Sequence, residues 1–236
     1  MGRRVVAEAL GTALLLASVV GSGIMGERLS GGNVAIALLA STMATGAALV
    51  ALIIAFGPIS GAHFNPAVTL ADAFQGGIAW HNVPAYVAAQ LAGAFAGVAA
   101  AHLMFGEPIL AASQRVRSGN GQLFSEFVAT FGLLAVIWGC ARRQSSAVPF
   151  AVGAYITSAY WFTASTSFAN PAVTLARAFT NTFSGIRPID APGFVLMQLI
   201  GAAAATALFR WLAPLPAKHQ ERIQGDQTEG TVSLHR

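Results

Sequence analysis

Ten residues, Asn65 to Phe74, recur almost unchanged from Asn170 to Phe179, 105 positions further along. Asn-Pro-Ala-Val-Thr-Leu-Ala opens both copies, and only Asp72 against Arg177 breaks the identity. A match of that length within one chain marks a duplicated unit and decides the architecture before any local propensity does. The flanks repeat more loosely but in the same order. Glu8-Ala9-Leu10-Gly11-Thr12 has its counterpart in Glu126-Phe127-Val128-Ala129-Thr130, and Gln90-Leu91-Ala92-Gly93-Ala94 in Gln198-Leu199-Ile200-Gly201-Ala202.

The residues around the repeats belong in lipid. The chain is 55% hydrophobic and 9% charged, against roughly 25% charged in soluble domains. Apolar stretches fall at about 5–25, 33–57, 82–105, 122–141, 147–165 and 190–213, each near the ~20 residues that a helix needs to cross a bilayer. A signal peptide competes for the first stretch, because Arg3 and Arg4 precede it; its length and the repeated Glu8 favour a span. Each half then reads as span, span, short motif, span. Three spans are an odd number, so the second half enters from the opposite side, which makes an inverted repeat with its axis in the membrane plane. The motif itself covers about 16 Å at 1.5 Å per residue, half a bilayer, and a half-helix is tolerated at that depth only inside protein or beside a watery cavity. The expected fold is an all-α membrane protein of six transmembrane helices plus two half-helices. One channel domain, 1–216, divides into repeats at about 1–107 and 120–216, and a polar tail follows at 217–236.

Other classes fit poorly. The net charge is +4, but the cations sit at the ends of apolar runs and form no basic stripe, so no nucleic-acid partner is expected. Threaded alternately, Arg3, Arg4, Arg142, Arg143, Arg210, Lys218 and Arg222 oppose Arg28, Arg115, Arg117 and Arg187. That bias favours a multi-pass protein of a bacterial-type inner membrane with both termini cytoplasmic. The lone Cys140 excludes an internal disulfide, and the scattered His63, His81 and His102 offer neither a metal site nor a catalytic constellation. No enzyme, cofactor or metal is expected.

Asn followed by Pro is how a helix should begin. Asn caps through its side-chain oxygen, and Pro at the first position loses nothing by lacking an N–H. With both oxygens used in capping, the amides of Asn65 and Asn170 are left as donors facing a lumen. Both half-helices aim the positive ends of their dipoles at the midplane, each about half an elementary charge. Cations and protons meet a barrier there, and neutral solutes do not.

The doubled Asn65-Pro66-Ala67 and Asn170-Pro171-Ala172, the preceding Ser60-Gly61-Ala62-His63-Phe64, the six spans and the paired Glu8 and Glu126 resemble the aquaporin and aquaglyceroporin (major intrinsic protein) family. The resemblance covers residues 5 to about 213. It implies a right-handed helix bundle, a homotetramer with one pore per subunit, and passive flow of water or small uncharged solutes across the lipid bilayer. It also implies an outer selectivity filter at four positions counted from the two Asn residues, which are Thr45, Ser158, Ser167 and Val173 here. The last is usually arginine. Arg177, four residues on, is expected not to substitute for it. Short hydroxyls and a valine make a wide, uncharged filter suited to polyols or metalloid acids. Family members from bacterial arsenic-resistance operons are similar in carrying Val and Thr at these positions, which points to arsenous acid or methylated arsenicals as solutes.

Two further readings remain open. Glu8 and Glu126 either accept hydrogen bonds from the loops before the half-helices or carry protons or sodium in a coupled transporter. His63 either gates with pH or packs beside the constriction and supports the loop. Phe64 and Phe168 are expected to be packing residues.

Overall fold

A computed structural model describes residues 1–213; the expected tail, 217–236, lies outside the described residues. Eight α-helices follow one another: α1 Gly2–Leu29, α2 Val34–Ser60, α3 Pro66–Phe74, α4 Val83–Phe105, α5 Asn120–Ala141, α6 Val148–Phe162, α7 Pro171–Arg177 and α8 Ala191–Leu212. Local chemistry sets their ends. Asn33 caps α2 by accepting from the backbone N–H groups of Ala35 and Ile36, and prolines occupy the first turns of α4, α6 and α8. Gly61 and Gly106 close α2 and α4 in left-handed conformations, φ 91° and 69°.

Five helices, α1, α2, α4, α5 and α8, are long and apolar enough to cross a membrane. The span expected at 147–165 is instead the 15-residue α6, about 22 Å at 1.5 Å per residue. It stops because Thr163 turns extended, φ −107° and ψ 138°, and the chain from there dips inward towards α7. Large apolar side chains on the outside of the bundle, among them Leu39, Met43, Leu103, Met104, Phe150, Phe162 and Leu196, stay exposed. Hydrocarbon, not water, suits such a surface.

The two halves pack alike. α1 lies against α2 and α4, α5 lies against α6 and α8, and α2 meets α6 where the halves join. Glycine brings the paired backbones together. A Cβ on Gly93 of α4 would stand 2.1 Å from the Ala9 carbonyl oxygen of α1, and one on Gly201 of α8 would stand 2.6 Å from that of Phe127 in α5. These are equivalent positions of the repeat, and the contact is the small-residue packing of membrane helices. Elsewhere the halves exchange volume. Gly11 leaves room for the Phe64 ring, which a Cβ would strike at 2.0 Å; their counterparts are Ala129 and Ala169, the methyl gained on one helix matching the ring lost on the loop. Between α4 and α5, and between α7 and α8, the loops are tied by buried His102, whose ring nitrogens meet the Ile109 carbonyl at 2.9 Å and Thr180 Oγ1 at 2.7 Å.

Gly93→Val should force α1 and α4 apart and destabilise the protein by about 2 kcal/mol or more, as overpacking does. Gly57→Ala, which meets nothing within 4 Å, should be neutral or stabilising. Thermal melts of the two variants in detergent check the contrast.

Candidate functional site

The two Asn side chains lock the half-helices together. Asn65 Oδ1 accepts from the Ala67 N–H at 2.9 Å, and Asn170 Oδ1 from those of Ala172 and Val173 at 3.0 and 3.3 Å. Each amide then donates across the repeat. Asn65 Nδ2 reaches the Ala169 carbonyl and Asn170 Nδ2 the Phe64 carbonyl, both at 2.8 Å. So one proton of each NH₂ is held by the opposite loop, a correction to the expectation that the whole group faces a lumen. An amide carries two donors, so one N–H per Asn is left over, and both residues border the cavity described below.

The crossed bonds need the loops before each Asn in an unusual shape. Gly61, Ala62 and Phe64 have φ of 91°, 50° and 50°, and their counterparts Thr166, Ser167 and Ala169 have 60°, 49° and 48°. Left-handed backbone costs an ordinary residue roughly 1–2 kcal/mol, and here five non-glycine residues adopt it. Buried carboxylates hold them there. Glu8 accepts from the backbone N–H groups of His63 and Phe64 at 3.0 and 2.7 Å; Glu126 accepts from Phe168 and Ala169, both at 2.9 Å. Ser60 and Ser165 hydroxyls take the N–H groups of Ala62 and Ser167. Both carboxylates are fully buried and neither borders the cavity.

A side-chain relay finishes each half. Gln90 Nε2 donates to Glu8 and to Thr69 Oγ1, both at 2.8 Å, and the Thr69 hydroxyl donates to the Asn65 carbonyl at 3.1 Å. Gln198 does the same between Glu126, at 2.6 Å, and Thr174, at 2.8 Å, with Thr174 bonded to the Asn170 carbonyl. Sequence reading singled out neither glutamine nor threonine for this role, although all four lie in the repeated segments.

The halves differ in charge beside the clamp. His63 Nδ1 meets Thr69 Oγ1 at 3.1 Å, and its Nε2 faces Asp72 at 3.6 Å. Thr69 spends its only proton on the Asn65 carbonyl, so the bond network assigns a proton to His63 Nδ1. The counterparts are Phe168 and Arg177, and the guanidinium carbon of Arg177 lies 3.4 Å from the centre of the Phe168 ring. Arg117, outside the spans, also faces that ring at 5.0 Å; it donates to the carbonyls of Gly185 and Ser165, and burial pushes its pKa down to about 10.

A cavity of about 380 Å³ lies within this assembly, and both Asn residues, Asp72, His63, Val148, Thr45, Ser167, Val173 and Arg177 are among the residues that border it. The major intrinsic protein family model matches residues 1–157 and 142–233. The chain belongs to that family. It is 61% identical to the aquaglyceroporin AqpS of Rhizobium meliloti over 210 residues, 89% of this chain and 90% of that one. It is 37% identical to the aquaporin NIP1-3 of Oryza sativa over 75% of this chain, an alignment that spans 63% of the rice protein. The solved aquaglyceroporin of Plasmodium falciparum superposes with a TM-score of 0.66 at 24% identity, over 88% of this chain and 93% of that one, and so shares its fold. Membership makes the protein a passive membrane channel for small solutes and water, not an enzyme.

Three of the four positions that the family resemblance assigned to the outer filter, Thr45, Ser167 and Val173, border the cavity. Ser158 does not. It is exposed, and its hydroxyl donates to the Tyr155 carbonyl at 2.8 Å. The reason is helical phase: Val148, Val152, Ile156 and Tyr160 face the cavity at intervals of four, and Ser158 points about 200° away from Ile156. Tyr160 holds Thr45 through a hydroxyl contact of 3.4 Å. Ser167 Oγ is buried without a hydrogen-bond partner. Arg177, set aside from the sequence, does border the cavity.

Glu126→Ala leaves three buried donors without acceptors, costing about 1–3 kcal/mol each; loss of solute flux and a large drop in melting temperature are the expected results. Ser158→Ala should keep flux within about twofold of the parent, as most exposed substitutions do, and Ser167→Ala should not; stopped-flow flux measurements separate them.

Proposed function

We propose that this channel conducts small hydroxylated neutral solutes, namely arsenous acid, methylated arsenicals and glycerol-like polyols, together with water. Val173 carries the reading. An aliphatic side chain stands in the lining where the family usually has an arginine, so the outer constriction is wide. Thr45 and Ser167 border the same cavity, and short hydroxyl side chains suit a solute with several hydroxyls. As(OH)₃ is compact, neutral and polyol-like, which suits such a surface. The aquaglyceroporin AqpS, 61% identical, supports the polyol part by its name.

In this reading Asn65, Pro66, Ala67, Asn170, Pro171 and Ala172 form the central constriction. Each Asn offers its remaining N–H to a passing oxygen, and the dipoles of the half-helices oppose protons. Glu8, Glu126 and His63 support the loops. An ion-coupled transporter fares worse, since its carriers would be two carboxylates that are already saturated with donors and lie away from the cavity. Arg3, Arg4, Arg142, Arg143 and Arg210, which fall on one side when the spans alternate, support cytoplasmic termini in an inner membrane, and family likeness supports a homotetramer.

Reconstituted into liposomes, the parent should pass arsenite, methylarsenite and glycerol. Val173→Arg should cut all three at least about tenfold while sparing water, since a narrowed pore penalises the larger solutes. If arsenite and glycerol pass equally well through both, the filter assignment is wrong.

A further inference from the structure

The single mismatch in the ten-residue repeat, Asp72 against Arg177, reverses a charge, and both residues border the cavity. They stand on opposite sides of the Asn pair, because α3 and α7 run away from the centre in opposite directions. Asp72 faces His63 at 3.6 Å. Arg177 is 3% exposed, its guanidinium carbon lies 3.4 Å from the centre of the Phe168 ring, and its Nε donates to the Ser184 carbonyl. Among the described residues, no carboxylate lies within ion-pair distance of Arg177 and its guanidinium makes no other hydrogen bond. Its positive charge therefore has no ion-pair partner beside the lumen. Its terminal nitrogens remain as donors.

The position in α7 decides where that charge falls. Side chains of a helix lean towards its N-terminus and cover the turn before their own Cα. The N-terminus of α7 is Pro171, next to the cavity-lining Asn170, and Val173 is one turn before Arg177. Arg177 thus leans back over the turn of Val173. Phe168 and the Ser184 carbonyl fix it there.

We propose that Arg177 is a second cation barrier, added to the half-helix dipoles, and an outer specificity residue of this channel, acting over the constriction that Val173 widens. A guanidinium held against an aromatic ring takes little width. It repels a passing cation without closing the pore to bulky neutral solutes, and it can donate to their oxygens. Charge exclusion and width are thereby separated onto two residues of the same half-helix. The proposal rests on the channel reading above, and glycerol flux through the parent tests that reading by itself.

The experiment measures methylammonium and proton conductance alongside glycerol flux in liposomes. The parent should pass glycerol and exclude both cations. Arg177→Gln should raise the cation conductances at least about tenfold, since one of two barriers, a fixed like charge, is removed, and glycerol flux confirms an open pore. Arg177→Lys should stay tight, and Val173→Arg added to Arg177→Gln should restore exclusion. An Arg177→Gln channel that carries glycerol yet excludes both cations as well as the parent overturns the proposal. If Arg177→Gln does not reach the membrane, Val173→Glu neutralises the guanidinium in place and should leak; a tight Val173→Glu channel overturns it equally. A parent that carries no glycerol sinks the channel reading instead.

Discussion

Two crossed hydrogen bonds, each from an Asn side chain of one half to a loop carbonyl of the other, hold the centre of this protein together. The half-helices are nine and seven residues long, too short to be stable alone. They are fixed because each one's cap is also the other's tether. The Asn oxygen starts its own helix and the nitrogen grips the opposite loop. Neither function can be lost without the other, which ties the depth of both helix starts to a single geometry.

That geometry explains the buried acids. A loop that presents its last carbonyl to the opposite Asn must pass through left-handed conformations at Ala62 and Phe64, or at Ser167 and Ala169. This turns successive N–H groups to one side, where no backbone acceptor exists. An uncompensated carboxylate in a membrane interior is costly, but one that accepts two backbone N–H groups and a glutamine amide is stabilised, and it satisfies donors that would otherwise be orphaned. Glu8 and Glu126 are therefore part of the loop's own structure. Gln90 and Gln198 carry the same constraint on to Thr69 and Thr174, and so back to the Asn carbonyls.

Much of this was legible in the residues and some was not. Inverted halves, short motifs and helix starts follow from the repeat and from the Asn-Pro pair, because capping is a local matter. The crossed bonds were not legible, since they join residues more than a hundred positions apart and depend on the loop conformation. Gln90 and Gln198 stood in the repeated flanks, yet a glutamine in an apolar helix does not announce its partner. Ser158 misled for another reason. Counting back from Asn170 carries a family spacing across a loop, whereas the lining of α6 obeys its own period and presents Ile156 and Tyr160. The length of α6 was over-read because the apolar run continues past Phe162 after the helix has ended.

The inverted repeat also explains how the channel can be symmetric in structure and polar in its lumen. The crossed Asn bonds, the carboxylate bonds to the loop N–H groups and the Gln–Thr relay all recur in both halves, so the scaffold constrains Asn65, Thr69, Gln90 and Glu8 as it does their mates. Among the residues that border the cavity beside the clamp, two pairs change the chemistry: His63 against Phe168, and Asp72 against Arg177. These are neighbours within each half, and they diverged in pairs. An imidazole accompanies the acid and an aromatic ring accompanies the guanidinium, each being a partner suited to that charge. A duplicated framework could thus acquire a different chemistry at each mouth while the helix starts at its centre stayed as they were.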